Sequence, residues 1–97
     1  MLNEDELLKV ERILTELFPC IIETNIDDVE IEEDYFLLPY ISVDDREGTY
    51  DLDNNVLNEM IIVDLEFVGI LVDDIKISRV DAYPDGTSTY KMEFVLS

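Results

Sequence analysis

The sequence predicts an α+β domain: an N-terminal amphipathic helix packed on an antiparallel sheet of about five to six strands that ends in a C-terminal β-hairpin. Three observations carry this. Apolar residues near the N-terminus recur at helical spacing. After Pro19 the period changes to alternation. A Pro-Asp-Gly turn separates the last two alternating runs.

Asn3 and Glu6 have the N-cap and N3 spacing of a capping box. Leu7, Val10, Leu14 and Leu17 follow at i, i+3, i+7 and i+10, and Pro19 ends the helix. Ile22, Thr24 and Ile26 alternate with polar residues as in a half-buried strand, and Val29 and Ile31 do the same. Tyr35–Val43 is aromatic and β-branched. Pro39 lacks an amide donor, so this run is expected at a sheet edge or with a bulge. Residues 44–48 have the composition of a hairpin loop closed by Gly48, leading into a short run at 49–52.

Asp53-Asn54-Asn55 is a turn or cap signal. From Met60 onward Ile61, Val63, Leu65 and Phe67 alternate with Ile62, Asp64, Glu66 and Val68, which predicts a strand; a helix over 55–66 is the competing reading. Asp73-Asp74 is expected as a turn. The runs 75–83 and 88–96 flank Pro84-Asp85-Gly86 and form the closing hairpin, with Tyr90, Met92, Phe94 and Leu96 on its buried face. One compact acidic domain over 1–97 accounts for all of these elements.

Charge is the most distinctive property. Asp and Glu total 25 against six Lys and Arg, histidine is absent, and the net charge is −19. Apolar residues make up 47%, more than a disordered acidic segment carries, so the chain should fold. So few bases argue against a nucleic-acid-binding or anionic-membrane surface. Without histidine there is no imidazole base, no Ser-His or Cys-His nucleophile pair and no His-liganded metal. Residues 13–75 hold eighteen acids and one base, Arg46; residues 76–97 hold three of each.

Candidate chemical sites are few. Paired carboxylates are too abundant to single out a catalytic couple, and no catalytic residue or cofactor site is expected. Asp51-Leu52-Asp53-Asn54-Asn55 opens like a calcium loop. Val56 and Ile62, however, stand where an EF-hand needs Gly and Glu. An irregular calcium site from Asp44, Asp45, Glu47, Asp51 and Asp53 is the remaining metal reading. Cys20, the single cysteine, is expected as a buried thiol that local acids make unreactive. One cysteine, an acidic N-terminus and no long apolar run point to a cytoplasmic protein. Tyr35, Phe36 and Tyr40 read as packing residues, not as a base-stacking platform.

What the sequence offers instead is a field. A 97-residue globule is roughly 30 Å across, and about 30 Å of duplex DNA carries close to 18 charges. The candidate partner-binding acids are Asp27, Asp28, Glu30, Glu32, Glu33, Asp34, Asp44, Asp45, Glu47, Asp64, Glu66, Asp73 and Asp74. Glu30, Glu32 and Asp34 are expected along one strand face at ~6.6 Å spacing, and Asp64 and Glu66 along another. Loops at 27–28, 32–34, 44–45 and 73–74 would complete the surface.

In size, net charge and α+β pattern the chain resembles small acidic phage-encoded inhibitors such as anti-CRISPR and anti-restriction proteins. That resemblance implies a stoichiometric, DNA-mimicking inhibitor acting in the host cytoplasm, not an enzyme. Its partner would be a basic nucleic-acid-binding protein such as a nuclease or CRISPR effector. An immunity protein or antitoxin neutralising a basic toxin fits the same charge. So does an acidic structural or assembly module, including a halophilic one that unfolds at low salt.

Self-repulsion gives one test. Raising salt from about 0.01 to about 0.15 M shortens the screening length from about 30 to about 8 Å, so the melting temperature should rise. A melting temperature that stays level or falls would show that the acids are not crowded.

Overall fold

The computed structural model describes residues 2–44 and 55–97. Helix α1 (Glu4–Leu17) begins as its sequence dictates: the Asn3 side chain accepts from the Glu6 amide at 2.9 Å, and Glu6 accepts from the Asn3 amide at 3.3 Å. It buries Val10, Ile13 and Leu14. Phe18 closes it, with Pro19 beyond.

The strands are β1 (Ile21–Glu23), β2 (Glu30–Ile31), β3 (Tyr35–Asp44), β4 (Val72–Ala82) and β5 (Thr87–Leu96). Their order is β1-β3-β5-β4, with β2 beside β1 on the same side of β3. Every pairing is antiparallel, so β3 and β4 run parallel to each other with β5 between them. The α+β class, the antiparallel sheet and the C-terminal hairpin agree with the sequence prediction. Gly86, at φ 90°, takes the left-handed position that the hairpin turn requires.

Pro39 sits at a register shift between Leu38 and Ile41. Phe36 and Leu38 are buried before it, Ile41 and Val43 after it. The extra residue re-phases the alternation so that one face stays in the core. Of the two sequence expectations for Pro39, the bulge applies, because β3 is an interior strand. The gap between β1 and β2 lies opposite this bulge. There Asn25, left-handed at φ 52°, donates its side-chain amide to the Tyr40 carbonyl.

Several elements differ from the sequence reading. The strand expected over 22–26 stops at Glu23, and a short 3-10 turn follows at Ile26–Asp28. Asp73 and Asp74 lie within β4, beside a bulge between Val72 and Asp74, not in a turn. The main correction is at residues 60–68. Residues 60–67 belong to helix α2 (Asn55–Phe67) and Val68 to the turn that follows, not to a strand. Ile61 and Leu65 are fully buried, Leu57, Ile62 and Val68 pack against the same core, and Met60, Val63 and Phe67 are exposed. Gly69 ends the helix at φ 86°: the Ile70 amide donates to the Leu65 carbonyl and the Gly69 amide to the Glu66 carbonyl, a Schellman cap. The loop and strand expected over 44–52 lie outside the described residues beyond Asp44.

Both helices feed the same core as the inner face of the sheet. Phe36 and Phe94, paired across β3 and β5, stack at its centre with ring centroids 4.4 Å apart. Asn58 ties α2 to the sheet by donating to the Ile75 carbonyl at 3.2 Å. Truncating Leu65 to Ala should therefore cost about 2–5 kcal/mol in urea denaturation, whereas Phe67→Ala should change stability by no more than about 0.5 kcal/mol. Comparable losses at both positions would mean that they share a buried face, as in a strand, and would contradict the helix.

Candidate protein-interaction surface

Topology decides where the acids go. Because β3 and β4 are parallel, both begin at the same end of the sheet, where β5 finishes. The turn entering β3 carries Glu32, Glu33 and Asp34, and the start of β4 carries Asp73 and Asp74; all five are exposed. The last residues of β5 lie between the two groups. The Leu96 amide donates to the Asp34 carbonyl at 2.8 Å. On the other side the Ser97 amide donates to the Leu71 carbonyl at 3.2 Å, and the Ser97 hydroxyl to Asp73 Oδ1 at 2.6 Å. At ordinary strand spacing, two steps across the sheet put these acidic segments roughly 10 Å apart.

Helix α2 adds to the same end. Its last turn carries Asp64 and Glu66 and leads through Gly69 into β4. No basic residue occupies that turn, so the partial negative charge of the helix C-terminus is not offset there. Tyr35 stands half-buried at the head of β3, beside the acids of the entering turn. Desolvation raises its phenol above the usual value, and the negative charges of Glu32, Glu30, Glu93 and Asp34 raise it further. On the uncovered sheet face Glu30, Leu37, Glu93 and Lys76 form one row across four strands. Lys76 meets Glu93 at 3.6 Å.

The expected partner-binding acids thus fall into separate groups. Glu32, Glu33, Asp34, Asp73 and Asp74 share the acidic end, Asp64 and Glu66 lie on the last turn of α2 that leads to it, and Glu30 lies two rows inward of Tyr35. Asp27 and Asp28, on the 3-10 turn, line an open groove with Glu11 and Glu23 beside α1. Asp44 pairs with Thr87 at the far end of β3, about 30 Å away by strand rise. Asp45 and Glu47 lie outside the described residues. The strand-face expectation is corrected in both places: β2 ends at Ile31, so Glu32 and Asp34 sit in a turn, and Asp64 and Glu66 sit on a helix.

The sequence reading missed an apolar stripe. Met60, Val63 and Phe67 recur at i, i+3 and i+7 on the outer face of α2 and are 45%, 49% and 85% exposed. Leu71, beyond the Gly69 cap, is exposed as well. The signal that could have revealed the stripe was Gly69 as a helix stop, following the helical row 57, 61, 65 and 68.

Cys20 is buried, as expected. Among the described residues no three Cys, Asp or Glu side chains converge to hold a metal ion; of the proposed calcium ligands only Asp44 lies within them. No described helix is long and apolar enough to cross a membrane. Comparison with protein-family models, curated proteins and solved structures returns no match.

Proposed function

We propose that this protein is a stoichiometric inhibitor whose acidic end occupies the cationic cleft of a nucleic-acid-binding protein in place of phosphates. The supporting observation is the convergence at one end of the sheet: segments 32–34 and 73–74, distant in sequence, flank the end of β5, and the last turn of α2, with Asp64 and Glu66, leads into β4 at that end.

Carboxylates on turns and strand starts pair with Arg and Lys through charge-assisted hydrogen bonds, the same groups that hold phosphates. The field steers encounter with a basic cleft, and occupancy excludes nucleic acid by competition. The ordinary density of bases in residues 76–97 leaves the hairpin tip at 83–87 outside this surface.

A displacement assay tests the proposal. Duplex DNA bound to each of a panel of cationic nucleases is titrated with the protein, and release is followed by fluorescence anisotropy. Reversing Glu32, Glu33 and Asp34 to Lys should weaken displacement by about tenfold or more, while reversing Glu16, Glu23 and Asp81, with the same total change in charge, should weaken it less than about threefold. Equal losses, or no displacement anywhere in the panel, would overturn the proposal.

A further inference from the structure

We propose that the outer face of α2 is a docking site for a cationic amphipathic helix of a partner protein. Met60, Val63 and Phe67 form a straight apolar row along two turns of α2, about 10 Å long at the helical rise. Carboxylates border it on both sides. On a helical projection Glu59 and Glu66 fall along one flank and Asp64 along the other. One shallow groove is lined by Glu59, Met60, Val63 and Asp64, and a neighbouring one by Val63, Glu66 and Phe67.

An apolar row with anionic margins is complementary to a helix that presents aliphatic anchors at i, i+3/i+4 and i+7 between Lys and Arg. Charge complementarity selects this occupant over a second copy of the chain. Residues 55–67 contain no base, so pairing two α2 faces would set like charges along both margins, a destabilising arrangement. The inference goes beyond the proposed inhibition: it requires a cationic helical partner and no nucleic-acid cleft.

The probe is a synthetic 18-residue helix of Leu and Lys with one apolar face, compared with a scrambled peptide of the same composition. Isotope-labelled protein is titrated with each, and chemical shifts are followed. The amphipathic peptide should shift α2 resonances and bind about tenfold more tightly than the scrambled one. The double variant Val63→Ser, Phe67→Ser should weaken it about tenfold. The Lys variants at Glu32, Glu33 and Asp34 should retain most of the binding, which separates this surface from the acidic end. Shift mapping on the unmodified protein tests the site even if the double variant fails to fold. Equal binding of both peptides, shifts confined to the 32–34 and 73–74 segments, or a dimer that the double variant dissolves would overturn the proposal.

Discussion

Mutual repulsion among carboxylates is the constraint to which the rest of this fold answers. With 25 acids against six bases, the compact state brings like charges close together, and at physiological salt those within about 8 Å of each other still repel. A single apolar core opposes that repulsion. Its centre is β5, placed between two parallel strands so that Met92 and Phe94 are fully buried with Phe36 and Leu38. Among the described residues no acid is buried: they lie on the outer faces of α1 and α2, in turns and at exposed positions of the strands. The same topology that closes the core therefore also concentrates charge, because both neighbours of β5 begin where it ends.

Helix α2 answers two demands at once. One row of side chains docks it on β4 and α1, anchored by Ile61 and Leu65 and closed by the Gly69 cap. The opposite row, Met60, Val63 and Phe67, contributes little to that docking and stays in solvent. A helix apolar on two faces gives up solubility on one of them, and here the flanking Glu59, Asp64 and Glu66 supply it. The acidic end and this stripe meet at the last turn of α2, so a cationic partner could engage charge and apolar contact from a single approach.

The regular elements were legible where local signals agreed with tertiary structure. Asn3, Glu6 and Pro19 bounded α1 correctly, and Pro84-Asp85-Gly86 located the closing hairpin. Pro39 indicated a bulge or an edge; the lack of an amide donor alone could not say which, because neighbours across the sheet are not written in the strand itself. Residues 60–68 misled for a definable reason. Two apolar rows on one helix, 57/61/65/68 and 60/63/67, overlay into the alternation of a strand. Gly69 held the correcting information as a left-handed helix stop. Composition identified the acids as the distinctive feature, but their grouping depended on β3 and β4 being parallel across β5, a non-local property that no spacing in the sequence encodes. That is why Asp44 was grouped with acids at the opposite end of its strand.

The gathering of charge at one end is tested most directly by paramagnetic relaxation of backbone amides with a cationic and a neutral soluble probe, whose ratio reports local potential residue by residue. The amides of residues 32–34 and 72–74 should show a far larger cationic enhancement than those of the hairpin tip at 83–87. Equal enhancement at the two ends would mean that the carboxylates are spread evenly over the molecule, and the acidic end would cease to be a distinct surface.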